Sequence, residues 1–349
     1  MPTARDAYLA QQETEMNAAQ LASKVRNMMK AAQFSRFGGP EVLEIVDLPD
    51  PHPGPGQIRI AVHAAGINAT EWKLRKGLLN FGAGLPQPTG RDVAGVVDEV
   101  AEGVTNAAVG DRVFGVSDDG AGAAELALLT YWAPIPPSLG FIDAAALPVA
   151  LETATRSLDQ LSVGRGMSLL INGAAGGIGS TAVQLAVARG ARVIGTASTA
   201  NHDYLRLLGA EPVTYGEGMT ERARTLAPDG VDAALDVAGS GVLPELIDLA
   251  GGPKNVVTLA DINGAKQHEV RFSNGYQGHA FHALTEIGAL IEAGRFWLPV
   301  ERTYPLDEIS EAHRVSEHGH VRGRLVLVID QRPRYTAAAI PAVTRGGET

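Results

Sequence analysis

The sequence predicts an α/β protein in two parts: a small β-barrel or sandwich, then a parallel sheet covered by helices. Three observations carry that expectation. Short apolar runs bounded by glycine and proline fill the chain up to about Pro137. Beyond it, strand-like and helix-like runs alternate, the order of a parallel sheet with right-handed crossovers. Between one such pair stands INGAAGGIGS, residues 171–180, with four glycines in ten positions.

Ordered patterning begins near Met29. In QIRIAVHA, Ile58, Ile60 and Val62 alternate with Arg59, Ala61 and His63, the period of a half-buried strand. GRDVAGVVDEV and GDRVFGV read as further short strands. Residues 143–161 read as a helix interrupted at Pro148. SLLI is a strand, and after the glycine turn a helix places Ile178, Ala182, Leu185 and Ala186 on one face. Gly190 ends that helix. ARVIGTAS, PVTY, VDAALDVAG and NVVTLA are later strands, GRLVLVID is the last, and NHDYLRLLGA, GVLPELIDLA and ALTEIGALIEAGRF are helices. RPRYTAAAIPAVTRGGET has no period and reads as a loose tail. The first 28 residues are polar and lack the apolar centre of a secretory signal. They read either as a frayed amphipathic helix or as lying upstream of a start at Met28 or Met29.

The chain has 349 residues, 45% hydrophobic and 19% charged, a composition of globular proteins. Its net charge is -10, from 29 basic and 39 acidic residues, which speaks against a nucleic-acid partner. No run approaches the roughly 20 apolar residues of a membrane helix. The absence of cysteine excludes disulfides, thiolate metal sites and cysteine nucleophiles. These features predict a cytoplasmic protein with neither nucleic acid nor membrane as partner.

Within the glycine turn, Ala174-Ala175-Gly176-Gly177-Ile178-Gly179 follows a strand and opens a helix, the setting of a dinucleotide fingerprint. Gly176 lets the backbone approach a pyrophosphate, and Gly179 lets the helix pack close to the sheet. The helix start offers unpaired N–H donors to the phosphates. Ala174 stands where the first glycine of G-x-G-x-x-G is expected. NAD enzymes place an acid at the end of the next strand to bind the ribose 2′-OH. Here RVIGTAS ends in Thr196, Ala197 and Ser198, with no acid. That removes the barrier to a 2′-phosphate, for which Ser198 and His202 are candidate donors, so NADP (NADPH) is the cofactor expected. Ser198 equally fits a helix cap, and His202 an exposed helix position.

From about Met29 to Asp330 the chain resembles the medium-chain dehydrogenase/reductase superfamily, in its zinc-free NADPH:quinone oxidoreductase branch. The resemblance is carried by KAAQFSRFGGPEVLEIVDLP, AAGINATEWKLRKG, PTGRDVAGVVDEVAEGV with GDRVFG, AALPVALETA, NGAAGGIGSTAVQLA and GHVRGRLVLVI. It implies a GroES-like catalytic domain, residues 29–150 and 285–330, around a Rossmann domain, residues 151–284. Residues 1–28 would be a flexible extension and 331–349 a flexible tail. The cofactor would lie in the cleft between the domains, and a homodimer is the usual assembly. By position, the resemblance puts Asn68 beside nicotinamide and substrate, and Thr153 near the nicotinamide ribose or phosphate. Ser198, His202 and Tyr215 fall around the adenosine 2′-phosphate, with His202 where many relatives have lysine. Ala175, Gly176, Gly177, Ile178, Gly179 and Ala260 complete the cofactor set. Some relatives carry a tyrosine five residues after the asparagine; this chain has Lys73 there.

The family's zinc-site His-Glu pair appears here as Arg91-Asp92, and arginine does not ligate zinc. His313, His318 and His320 lie close together, in a stretch that reads as a surface helix end and turn. No metal site is expected. The reaction expected is hydride transfer to a quinone or to the β-carbon of an α,β-unsaturated carbonyl. Asn68 is the candidate donor to the acceptor oxygen and Lys73 the candidate proton donor. Lys73 also fits a solvated surface position and Trp72 a core one. The segment 261–282 is expected to line part of the acceptor pocket. Two alternatives stand: an enoyl-thioester reductase of fatty-acid or polyketide biosynthesis, and a non-catalytic NADPH-binding sensor or structural subunit.

Overall fold

The computed structural model describes residues 28–79, 82, 84–275 and 278–329. The expected extension and tail lie outside them, except Met28, which opens the first strand. The chain starts with an antiparallel pair, β1 (Met28–Phe34) and β2 (Leu43–Pro49). β3 (Ile58–Ile67) runs into α1 (Ala69–Arg75), and the short β4 (Gln87–Pro88) joins the end of β1. β5 (Asp92–Val100), β6 (Arg112–Ser117) and β7 (Leu126–Pro134) follow as antiparallel neighbours. β7 also pairs with β3, which closes the sheet on itself as a barrel. Ile58, Ile60 and Val62 are fully buried inside it, as their alternation predicts. The helical stretch that follows divides into α2 (Phe141–Ala145) and α3 (Pro148–Gln160). Pro148 stands in the first turn of α3, where its missing N–H breaks no bond.

The second unit begins with β8 (Ser168–Asn172), α4 (Gly177–Ala188) and β9 (Arg192–Ala197). It continues through α5 (His202–Leu207), β10 (Glu211–Thr214), α6 (Met219–Leu226) and β11 (Ala233–Asp236). α7 (Leu243–Leu249), β12 (Val256–Thr258), α8 (Ile262–His268) and β13 (Arg271–Phe272) complete it. The strands lie parallel in the order β10-β9-β8-β11-β12-β13. Counted by appearance, that is the order of the doubly wound dinucleotide-binding sheet. Leu169 and Ile171 pack on one face with Ala182, Val183 and Ala186 of α4, and Leu170 packs on the other with Leu246. The sheet is thus covered on both faces, which is why its strands read as apolar runs rather than alternating ones.

α9 (Ala283–Glu292), β14 (Val300–Pro305), α10 (Ile309–His318) and β15 (Arg324–Val328) then return the chain to the barrel. β15 pairs antiparallel with β3, and β14 lies outside it. Gly323, just before β15, sits against the glycine turn, with its N–H 3.5 Å from the Ala175 carbonyl. One end of the barrel sheet therefore touches the start of α4. α6 and β14 are elements that the sequence patterning did not single out. Among the described residues, no helix is long and apolar enough to cross a membrane.

Candidate active site

The glycine turn is shaped by specific close approaches. Gly173 has φ +82°, a conformation L side chains disfavour. A Cβ on Gly179 would stand 2.2 Å from the Gly173 carbonyl oxygen, so α4 meets the turn only with glycine there. On Gly177 it would stand 2.5 Å from Cδ of Arg324. Gly176 is different: its φ is −77° and a Cβ would find nothing nearer than 3.8 Å. Packing within the chain does not call for glycine at 176. Its missing side chain instead leaves the open side of the turn clear, where a pyrophosphate approaches a helix N-terminus.

The floor of this crevice is braced by four buried polar side chains from the C-terminal ends of four parallel strands. Thr196 Oγ1 donates to Asn172 Oδ1 at 2.7 Å and accepts from the Gly173 N–H at 3.1 Å. Asn172 Nδ2 donates to Asp236 at 2.9 Å, and Thr258 Oγ1 donates to the same carboxylate at 2.7 Å. The Gly239 N–H adds a third bond at 2.8 Å. Ala260 follows this ring of contacts, its N–H 3.2 Å from Thr258 Oγ1. Ligands of such sheets bind where the strand order reverses, here between β8 and β11.

At the end of β9, Ser198 makes no capping bond to the helix after it; Asn201 Nδ2 donates to its Oγ at 3.3 Å. His202 Nε2 lies 3.4 Å from Thr214 Oγ1, and Tyr215 is half exposed nearby. Arg322, from the segment before β15, reaches across to donate from Nε to Asn201 Oδ1 at 2.9 Å. Its guanidinium lies 5.5 Å from the centre of the Tyr204 ring. The structure thus brings together the three residues read from the sequence and adds a cation from the barrel side that was not among them.

Asn68 stands at the cap of α1, in a buried charge cluster. Its Nδ2 donates to Glu71 Oε1 and to Asp92 Oδ2, each at 3.1 Å. Its Oδ1 accepts from Arg324 Nη2 at 2.8 Å. Arg324 also pairs with Asp92, and the Val149 N–H in the first turn of α3 donates to Asp92 Oδ1 at 2.7 Å. In this arrangement both amide hydrogens of Asn68 are engaged, so it orients neighbours and has none left for an acceptor oxygen. Burial pushes the Asp92 carboxyl up, against the pull of Arg324, the Val149 N–H and Asn68. Burial also pushes Glu71 up to about 7, with the Asn68 bond opposing. Lys73 is not part of this cluster: its ammonium lies 5.6 Å from the centre of the Trp72 ring.

His313 corrects the surface reading of its segment. It is fully buried on α10, with Nε2 3.8 Å from Glu71 Oε2. The apolar face of α10 carries it inward with Ile309 and Ala312. Burial, then the charge of Arg75, lowers it to about 3. Arg75 is itself fully buried and donates to Glu317 Oε2 at 2.7 Å.

These two shifts have opposite consequences for stability. Glu71 is raised from 4.5, so its contribution is full below pH 4.5 and is lost as pH rises to about 7. His313 is lowered from 6.5, so its contribution is full above pH 6.5 and is lost as pH falls to about 3. The slopes oppose between 4.5 and 6.5, and below that His313 acts without Glu71. His313→Met is therefore expected to weaken the acid-side fall in the urea midpoint. It should also unmask a decline from pH 4.5 to 7. Midpoints measured at half-unit pH intervals check both; parallel profiles for the two proteins would refute the assignment.

Two family models match the chain: the alcohol dehydrogenase GroES-like domain over residues 54–128, and a zinc-binding dehydrogenase domain over residues 208–327. A quinone oxidoreductase of Rattus norvegicus is 31% identical over 329 residues, covering 87% of this chain and 99% of its own. The chain belongs to the quinone oxidoreductase branch of the medium-chain dehydrogenase/reductase superfamily. The quinone oxidoreductase from Coxiella burnetii has a matching structure, with a TM-score of 0.76 and 34% identity over 87% of this chain and 100% of that one. A mycobacterial protein solved with NADPH matches at a TM-score of 0.73 and 26% identity, over 86% and 99% of the two chains.

This medium-chain member is an oxidoreductase of the nicotinamide-dependent kind. Its residues fit such a cofactor: the clear side of Gly176, the start of α4 and the braced floor would hold it. Thr153, buried on α3, donates from Oγ1 to Glu152 at 3.1 Å. The residues do not fit the zinc in the family model's description. Among the described residues no group of three or more His, Asp or Glu converges to hold a metal, and Asp92 is committed to Arg324, Asn68 and Val149. The sequence reading passed over Arg324 and Glu71. The one available signal was an arginine opening an otherwise apolar strand, RLVLV.

Proposed function

We propose that this protein is an NADPH-dependent, zinc-independent reductase of quinones or α,β-unsaturated carbonyls. The observation that carries the reading is the position of the buried Asp92–Arg324–Asn68 cluster, whose Arg324 stem packs directly on Gly177 of the cofactor turn. A bound nicotinamide supplies the hydride. The chain supplies alignment and a dry setting: Arg324 and Asp92 hold Asn68, and α3, anchored through Val149, holds Thr153. With the Asp92 carboxylate tied to an arginine, substrate polarisation falls to hydrogen-bond donors rather than a metal.

The preference for NADPH rests on the acid-free end of β9 together with Ser198, His202, Tyr215 and Arg322. Charge-assisted bonds from a guanidinium are strong at phosphate. Arg322→Ala is expected to raise KM for NADPH about tenfold, a loss of one such contact, and to leave KM for NADH unchanged. The reading includes a cytoplasmic homodimer, with β13, the short edge of the parallel sheet, as the strand open to pairing.

The test is steady-state oxidation of NADPH and NADH against ortho-quinones, para-quinones, enones and enoyl-thioesters, with and without a chelator. Turnover with NADPH on quinones or enones, unaffected by chelation, is the expected result. Equal use of NADH, or loss of rate on chelation, would overturn that part of the reading. Turnover confined to enoyl-thioesters would replace the acceptor.

A further inference from the structure

A cavity of about 620 Å³ opens beside β7, lined by Tyr131, Trp132, His279 and Phe281 among others. Its volume is that of a small-molecule site. Three of these side chains form a column of stacked rings. Tyr131 and Phe281 have centroids 4.2 Å apart at 24°, and His279 and Phe281 have centroids 4.7 Å apart at 20°. The cavity borders the elements that hold the Asn68 cluster. Tyr131 pairs with Val116, and Val116 with Asp92, so Tyr131 and Asp92 share one row across three strands.

The imidazole in that column, His279, is anchored. Its Nδ1 lies 3.2 Å from Glu152 Oε1, on the residue before Thr153. Glu152 is buried, yet it is held below the usual carboxylate range. Burial works to raise it, but hydrogen bonds and charge from Arg156 prevail, with help from the Ala280 N–H. An ionised Glu152 accepts from Nδ1–H and leaves Nε2 as the second ring nitrogen. The missing Cβ of Gly275 makes room for the ring, since a Cβ there would lie 2.1 Å from Cε1. The side chain of His279 is 39% exposed, so water reaches it. Among the described residues, the other titratable or charged groups around it are Arg156 on α3, Tyr131 on β7 and His282 in the same loop.

We infer that this cavity receives the acceptor as a flat conjugated carbonyl compound, and that His279, held by Glu152, is the catalytic acid that protonates it. The inference rests on the reductase reading above. Hydride brings two electrons and one proton. A quinone so reduced is left as a hydroquinone monoanion, and an enone as an enolate, each short of one proton. The protonated imidazole gives its Nε2 proton to the anionic oxygen: an N–H bond breaks and an O–H bond forms. Neutral His279 keeps its Nδ1–H on Glu152, and solvent restores the proton at Nε2. Lys73 is not needed for this step.

The test compares wild type, His279→Gln and Tyr131→Ala with NADPH and a para-quinone, across pH. His279→Gln keeps a polar side chain that cannot carry the proton. It should lower kcat about 100-fold, within the usual range for loss of a general acid, with KM for the quinone within about threefold of wild type. The fall of wild-type kcat on the alkaline side should vanish in this variant. Tyr131→Ala should raise KM for the quinone and weaken quenching of Trp132 fluorescence by quinone alone, a binding readout free of turnover. If the wild type turns over and His279→Gln matches its kcat and pH profile, the acid role is wrong and the reductase reading stands. Unchanged KM and quenching in Tyr131→Ala would remove the cavity as the acceptor site. No wild-type turnover with any acceptor would overturn the reductase reading and this inference together.

Discussion

Replacing Arg324 with Met is expected to lower the free energy of unfolding by about 3–5 kcal/mol, the usual cost of removing one partner from a buried ion pair. Asp92 is fully buried and Arg324 nearly so. Without the guanidinium, Asp92 retains the Val149 N–H, Asn68 and the charge of Arg91, with Glu71 a further carboxyl close by. The Asn68 carbonyl also loses its donor. Arg324 spans the join between the barrel and the cofactor turn, so turnover should fall with stability. Urea titration followed by far-UV circular dichroism measures the first effect and NADPH oxidation the second. The double variant Arg324→Met/Asp92→Asn should recover part of the lost stability, because it removes the orphaned charge as well. A single variant with the wild-type midpoint would show that the pair is not what holds this end of the cleft.

Two glycines of the cofactor turn should respond in different ways to the same change. Gly179→Val drives a side chain into the Gly173 carbonyl oxygen, 2.2 Å from the ideal Cβ, and into the Ala174 backbone at 2.8 Å. Backbone cannot swing aside as a side chain does, so α4 must move off the sheet. A loss of about 1–3 kcal/mol is expected from overpacking, together with loss of cofactor binding. Gly176→Val meets no atom nearer than 3.8 Å at its Cβ and has an ordinary φ. Its unfolding free energy should stay within about 1 kcal/mol of wild type, since β-branched valine suits the extended φ and ψ of that position. Its affinity for NADPH should nevertheless fall at least about 100-fold, because the branched side chain occupies the approach to the turn. Fluorescence titration with NADPH beside urea titration separates the two variants. Tight binding by Gly176→Val would mean that the pyrophosphate does not lie over this turn.

Local chemistry explains why much of the architecture was legible. The period of Ile58, Ile60 and Val62, the arrest at Pro148 and the glycine-rich turn before α4 all act over a few residues. Each appears in the structure where the pattern put it. α6 was missed because MTERARTL has only a thin apolar face, Met219 and Ala223 being its buried positions. β14, VERTYP, buries little beyond Tyr304 and takes its form from pairing with β15.

The candidate site divides in the same way. The glycines, Ser198 and the acid-free end of β9 could be read because the nucleotide fingerprint is a single contiguous run. The charge cluster could not. Arg324 lies 232 residues from Asp92 and 256 from Asn68, and His279 lies 127 from Glu152. His313 looked like one of several surface histidines until α10 turned it onto Glu71. Amino-acid order alone was enough for most of the elements and for the parallel sheet, because hydrophobic period and backbone sterics are local. Which buried charges meet, which protons they keep and where a cavity opens depended on how segments far apart in the chain come together. Desolvation and Coulomb energy are set by neighbours in space, and no spacing along the chain encodes them.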